Sequence, residues 1–279
     1  MGILSVATRD LRLPQYGILC LAVVCGAHLG GISPIRLIHM PDAGILLLLL
    51  AIAWRGSTAY NDAYDTAIDR ISNRHRHGWR TAEATRALRH IGAIASLISI
   101  LGAVFLLPFG AATAVIAFVL INILYNVPPI RAKRIMWINT LLSTLGITAA
   151  AYSGALLGNG MAEVSLWRIL WFVFLGSIII GVKDFKDRVG DAHNGVQTFV
   201  TYYGIHRTRR LVSIAVGAFI LSVASHGAPT LPPIAAIVAA LAGGYLTAII
   251  LRNFARYAVA LLTLPAIILC GIVLAISGY

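Results

Sequence analysis

Nine apolar stretches of about twenty residues, separated by short polar breaks, constrain this chain more than any other feature. They cover 15–32, 43–66, 88–107, 109–126, 137–157, 165–184, 207–226, 230–251 and 257–277. Each approaches the ~20 residues that an α-helix needs to cross a hydrocarbon core. Backbone amides cannot be left unpaired in lipid, so stretches of this length cross as helices. The composition agrees, with 59% hydrophobic and only 11% charged residues, against roughly 25% charged in soluble domains. Disordered, collagen-like and disulfide-scaffold classes are excluded on the same grounds. Cys20, Cys25 and Cys270 all fall inside apolar stretches, which argues against both a disulfide framework and a cysteine metal cluster. The expectation is an all-α integral membrane protein of nine transmembrane helices, forming one domain over 1–279.

The basic residues orient it. Lys and Arg number 22 against 10 acids, a net charge of +12. In a soluble protein such an excess would suggest nucleic acid; in a membrane protein it reads as the positive-inside rule, so no nucleic-acid partner is expected. With the N-terminus inside, 19 of the 22 basic residues fall in cytoplasmic segments. Arg36 and Arg168 lie outside and Arg55 falls within the second span. The first apolar stretch is long and has no small-residue cleavage site after it, so it is expected to remain as a span. The outer connections are short and poor in charge. The inner segments 67–87 and 185–206 are long and carry both signs, which places the working face, and the mouth of any central cavity, on the cytoplasmic side.

Six of the ten acids fall in two clusters, Asp62, Asp65 and Asp69, then Asp184, Asp187 and Asp191. Both have the spacing D-x-x-D-x-x-x-D at the inner end of a span, the second and the sixth. Acids at i, i+3 and i+7 share one face of a continuous helix. Like charges so placed repel, so removing one from either cluster should not destabilise the metal-free protein. A hard divalent cation with oxygen ligands answers the repulsion, and Mg²⁺ held by a few carboxylates plus phosphate oxygens is the common arrangement. Arg70, Lys183, Lys186 and Arg188 are interleaved with the acids, and Arg131, Lys133 and Arg134 add further positive charge. Acids for a metal and bases for phosphate oxygens together describe a diphosphate site. Salt bridges at a helix end would account for one such cluster more readily than for two of matching spacing.

The residues also carry a family resemblance. Asn61-Asp62-Ala63-Tyr64-Asp65-Thr66-Ala67-Ile68-Asp69-Arg70 resembles the first aspartate motif, NDxxDxxxD, of the UbiA superfamily of intramembrane prenyltransferases. The segment from Asp184 to Asp191 is similar to its second motif, continued by Asn194-Gly195-Val196-Gln197-Thr198. Tyr125-Asn126-Val127-Pro128-Pro129-Ile130-Arg131-Ala132-Lys133-Arg134 resembles its YxxPPxRxKR-type segment, and Asn139 falls where the family often has asparagine. The resemblance runs from about residue 15 to the C-terminus. It implies a helical bundle around a central cavity, in which a polyprenyl diphosphate is ionised with Mg²⁺, or Mn²⁺ in its place, and the prenyl group passes to an acceptor. Neither acceptor nor chain length is specified. Metal ligation is implied for Asn61, Asp65, Asp69, Asp184, Asp187 and Asp191, and diphosphate contacts for Arg70, Arg131, Lys133, Lys183 and Lys186. Asp62, Asp65, Asp187 and Tyr125 are the residues expected closest to the chemistry.

Some features depart from the pattern or lie outside it. Where relatives have an NRPxxxG-like turn, this chain reads Asn73-Arg74-His75-Arg76-His77-Gly78, which reads better as a solvated basic loop than as a catalytic histidine. Arg55 lies seven residues before Asp62, and an intramembrane arginine is a functional candidate by default. Of Tyr60, Tyr64, Tyr125, Tyr152, Tyr202 and Tyr203, Tyr125 is the best placed to face a cation; the rest read as packing or interfacial residues. A terpene cyclase, which needs no acceptor, is the alternative within the fold. A transporter would place its charges near the midplane rather than at the cytoplasmic end.

Overall fold

Helix punctuation in the sequence maps directly onto the architecture. A computed structural model describes residues 12–72, 81–157, 166–185, 187–227 and 233–252. In chain order the helices are α1 (Leu13–Leu29), α2 (Pro34–Ile38), α3 (Pro41–Tyr64), α4 (Thr66–Ser72), α5 (Ala82–Leu106), α6 (Phe109–Asn126) and α7 (Met136–Ala155). They continue as α8 (Leu166–Ile180), α9 (Arg188–His193), α10 (Phe199–Gly227) and α11 (Pro233–Arg252). Single 3₁₀ turns occupy Ala132–Arg134 and Gly181–Phe185.

Proline opens α1, α2 and α3 within the first two positions, where its missing N–H costs nothing. Thr81 caps α5 by accepting from Ala84 N at 3.1 Å, and Ser33 caps α2 by accepting from Arg36 N at 3.2 Å, each satisfying an orphan donor. The prolines at 128 and 129 stop α6 after Asn126, because neither can donate to a further turn. Gly204, at φ 77°, kinks α10, a conformation that side chains other than glycine adopt with strain.

Eight of the nine expected spans fall on helices; the ninth, 257–277, lies outside the described residues. Three helices, α3, α5 and α6, are long and apolar enough on their own terms to cross a membrane. Along α5, Leu97, Leu101, Val104 and Phe105 point outward, as do Ile234, Leu241 and Tyr245 along α11, a surface suited to lipid rather than water.

One buried cluster joins α1, α3, α5, α6 and α7 around Leu46, Leu50, Val115 and Phe118; a second joins α8 and α10 around Leu175, Phe185, Val212 and Phe219. The two are connected where α7 packs on α8. The α1–α7 seam is made by small residues. Gly26 lies against the Ala151 carbonyl, Gly30 against that of Ala155, and Gly154 against that of Val23. Such close approach lets dispersion contacts hold helices together where lipid offers no hydrophobic drive. A Cβ on Gly154 would run into the Val23 backbone, so Gly154→Ala should cost ~1–3 kcal/mol by overpacking. Gly44 of α3 faces open space; Gly44→Ala should be neutral, or stabilising by up to ~1 kcal/mol. Melting curves of the two variants in detergent compare these outcomes directly.

Candidate active site

Both aspartate clusters sit at helix breaks, not on continuous helices. α3 ends at Tyr64, Asp65 occupies the break as its C-cap, and α4 resumes at Thr66. α8 ends at Ile180, a 3₁₀ turn carries Lys183 and Asp184, Asp187 caps α9, and Asp191 lies within it. The expectation of one unbroken helical face for each acid triad is therefore corrected. A straight helix would carry all three acids along one ridge; the break redirects the chain so that α4 and α9 pack against each other. That packing brings the two clusters together.

Two acids of the first cluster, Asp62 and Asp65, are paired with cations of the protein. Asp62, 1% exposed, forms an ion pair with Arg12 at the start of α1. Asp65 takes Arg131 Nη2 on Oδ1 at 2.8 Å and Lys133 Nζ on Oδ2 at 2.6 Å. Arg131 Nη2 also donates to the Tyr64 carbonyl at 2.6 Å. Lys133 further donates to Asn61 Oδ1 at 3.2 Å and Asn126 Oδ1 at 3.4 Å. An ammonium has three hydrogens, and here each has an acceptor. Burial pulls the Lys133 ammonium below its ordinary value, although the Asp65 carboxylate opposes this. Asn126 in turn donates to Ser57 Oγ at 3.4 Å, and Ser57 Oγ donates to Asn122 Oδ1 at 2.5 Å. A polar ladder thus fastens α3 to α6 up to the site. Arg131 adopts φ 40°, a left-handed conformation costing ~1–2 kcal/mol for a non-glycine residue, and its two partners on α3 hold it there.

In the second cluster, Asp184, Asp187 and Asp191 lie close enough for their charges to interact. Burial, then the charges of Asp184 and Asp187, push the Asp191 carboxyl up to about 8. Asp184 Oδ2 accepts from Asn139 Nδ2 of α7 at 3.1 Å. Lys183, although next in sequence to Asp184, points between α6 and α7. It donates to Asn139 Oδ1 at 2.7 Å, to Tyr125 OH at 2.8 Å and to Ser143 Oγ. Its ammonium lies 4.7 Å from the Tyr125 ring centroid, with Lys133 at 6.0 Å, so the ring already serves two cations.

Among the described residues no three His, Cys, Asp or Glu side chains close around a single metal position. The donor set nonetheless fits Mg²⁺, which keeps waters and takes one or two carboxylates plus substrate oxygens rather than an all-protein cage. A buried carboxyl pushed up by its neighbours' charge marks the place where a cation would relieve repulsion.

The remaining candidates divide plainly. Asp69 is buried, 5% exposed, and Arg70 is exposed, both on α4. Lys186, His75 and His77 lie outside the described residues. Tyr60 and Tyr64 stack at 6.4 Å, with Tyr60 against Gly92 of α5 and Arg89 of α5 over the Tyr64 ring at 5.1 Å. Tyr202 is exposed, and Tyr203 packs on Phe199. Arg55 donates to Thr58 Oγ1 one turn on, at 3.1 Å. Sequence reasoning counted Arg12 only as topological charge and gave no role to Asn126 or Ser143. The sole signal for Arg12 was its place next to the helix-opening Leu13-Pro14.

Fold and site together define an all-helical membrane protein with two facing aspartate motifs at the ends of broken helices. The family model described as "UbiA prenyltransferase family" matches residues 18–262, and the chain belongs to that family. Among solved structures it resembles a UbiA homolog from Archaeoglobus fulgidus bound to GPP and Mg²⁺, with 18% identity and TM-score 0.64 over 97% of this chain and 99% of that one. Digeranylgeranylglyceryl phosphate synthase is similar at 17% identity and TM-score 0.63, covering 99% of each chain. The apo UbiA homolog from Aeropyrum pernix K1 follows at 20% identity and TM-score 0.61, over 92% and 97%. None of the curated proteins matches the chain.

The asymmetry between the clusters changes the stability expected of aspartate variants. Asp65→Asn would leave the buried Lys133 and the half-buried Arg131 without their counter-charge, so it should destabilise the metal-free protein by ~3–5 kcal/mol. The earlier expectation from simple repulsion fails at this position. Asp191 behaves oppositely. Its folded carboxyl binds a proton more tightly than the unfolded one, so the fold loses stability as pH rises from the ordinary value of 3.8 to about 8. Asp191→Asn should remove that component of the pH slope. Detergent melting curves between pH 4 and 9 in EDTA, wild type against variant, measure the difference.

Proposed function

We propose that the chain is a Mg²⁺-dependent intramembrane prenyltransferase that ionises a polyprenyl diphosphate and passes the prenyl group to an acceptor. The observation that carries this reading is the packing of α4, which bears Asp69, on α9, which bears Asp191, with Arg131 and Lys133 at the adjoining break. Acidic donors for a metal beside fixed cations for phosphate oxygens make a diphosphate site. The GPP and Mg²⁺ bound by the Archaeoglobus fulgidus homolog support the same assignment, because the two folds correspond along nearly their whole lengths.

In this reading Asp69, Asp184, Asp187 and Asp191, with Asn61 and Asp65 at the first break, hold the metal. Bound there, Mg²⁺ supplies Lewis-acid neutralisation of the departing diphosphate. Arg131, Arg70, Lys133, Lys183 and Lys186 attract the diphosphate oxygens. Those lysines already satisfied by protein acceptors exchange one of them for the ligand. Asp62, paired with Arg12, fixes the start of α1 against α3 and so closes that side of the site. The apolar walls of the bundle exclude water while the allylic cation exists, and the Tyr125 ring is the π-surface nearest the diphosphate end. The chain acts as one domain. Its N-terminus and the site face the cytoplasm, a reading that the distribution of basic residues supports.

The test is turnover by purified protein with Mg²⁺ and allylic diphosphates of several lengths, with and without anionic and aromatic acceptors. Expected are Mg²⁺-dependent diphosphate release, its loss in excess EDTA, and a prenylated acceptor by mass spectrometry. A cyclic hydrocarbon or alcohol formed without acceptor would assign the chain to the cyclase alternative. Full turnover in EDTA would overturn the metal assignment.

A further inference from the structure

Acidic side chains stop at Asp191. No Asp or Glu follows it, although Arg207, Arg209, Arg210, Arg252 and Arg256 do. The last third of the chain therefore carries positive charge with no carboxylate side chain of its own. Two of these arginines stand on the outward side of α10. Val212, Ala215, Val216 and Phe219 turn that helix into the second buried cluster. Arg207, Arg210, Leu211, Ile214 and Leu221 are exposed, Ile214 by 69%. Spacings of three, four, seven and fourteen residues from Arg207 set them along one helix face. An apolar stripe suited to acyl chains thus ends in two arginines.

The kink fixes where that end lies. Gly204 bends α10, and the Thr208 hydroxyl, 2.9 Å from both the Phe199 and the Gly204 carbonyl, holds the bend. Ahead of the kink Tyr202 is exposed, and Phe199 packs on Tyr203 and on the half-exposed Trp137 of α7. Amphipathic aromatic residues of this kind sit at the level of lipid headgroups. α11 packs on α10 after a link of five residues, 228–232, so the two helices run antiparallel. Each rises about 30 Å over 207–227 and 233–252, which returns Arg252 to the end that bears Arg207.

We propose that this end of the α10–α11 pair binds an anionic phospholipid of the adjoining leaflet. Arg207 and Arg210 lay their stems on the apolar surface and reach the headgroup layer with their guanidinium groups. The planar guanidinium fork matches phosphate oxygens, and Leu211, Ile214 and Leu221 carry an acyl chain. The headgroup supplies the negative charge that this part of the sequence lacks. The site is separate from the diphosphate site and does not rest on the reading proposed for it.

The experiment places the purified full chain in mixed micelles of phosphatidylglycerol and phosphatidylcholine and counts the bound lipids by native mass spectrometry. The wild type should retain phosphatidylglycerol in preference to phosphatidylcholine. Arg207→Gln with Arg210→Gln should lower that preference ~30-fold, because each arginine beside an anionic lipid carries about fivefold. Arg207→Lys with Arg210→Lys should keep most of it. Should the double glutamine variant fail to fold, Arg210→Gln alone is measured, with an expected loss of about fivefold. Arg86 and Arg89, both exposed on α5, give a charge-matched control, and Arg86→Gln with Arg89→Gln should leave the preference in place. Equal loss in that control would assign the effect to net charge and overturn the site. A wild type that holds both lipids equally, or a glutamine variant that keeps its preference, would overturn it as well.

Discussion

Charge buried at the edge of an apolar bundle must be compensated, and the rest of this structure follows from how that is done. Six aspartates lie at the ends of two spans, where each uncompensated carboxylate carries a desolvation penalty of several kcal/mol. The two clusters meet it differently. Around the first, Arg12, Arg131 and Lys133 come from three separate segments to pair with Asp62 and Asp65. Around the second, Asn139 gives Asp184 a neutral donor, and Lys183 gives its hydrogens to Tyr125, Asn139 and Ser143. One cluster is therefore a finished ion-pair network that ties α1, α3 and the 127–134 segment together. In the other, burial and then the charges of Asp184 and Asp187 push the Asp191 carboxyl up to about 8.

This division explains why two motifs of the same spacing need not have the same work. Asp65, with cations on both oxygens, fixes the position of the Pro-Pro turn and of Lys133 behind it. Bringing both motifs to one place requires that the helices stop at the acids. Only after the break at Asp65, and the 3₁₀ turn following Ile180, can α4 and α9 lie against each other. The backbone break is thus the step that converts two distant sequence motifs into one site.

Much of the scaffold was legible in the sequence because its signals are local. Apolar runs located eight described helices. The breaks were not legible, because D-x-x-D-x-x-x-D fits a continuous helical face as well as it fits a bent one. Arg12 was not legible either. Its partner Asp62 is fifty residues away, and a basic residue ahead of a first span is ordinary topology. Lys133 and Lys183 could be read as basic, but not as ammonium groups whose three hydrogens all have protein acceptors. That depends on Asn61, Asn126, Asn139 and Ser143 arriving from other helices.

Tyr125 shows what these arrangements imply together. A tyrosine face attracts cations through its quadrupole, and here the ammonium groups of Lys133 and Lys183 lie 6.0 and 4.7 Å from the ring centroid. Its hydroxyl donates to Asn139 and accepts from Lys183. The ring is thus fixed at its edge by hydrogen bonds and on its surface by charge, and so is pre-oriented. In the proposed reaction, a diphosphate drawing either lysine toward its oxygens would withdraw positive charge from the ring as the allylic carbon gains it. The same displacement that binds the leaving group would then free the π-surface for the cation left behind, which couples the two halves of bond cleavage through a single side chain.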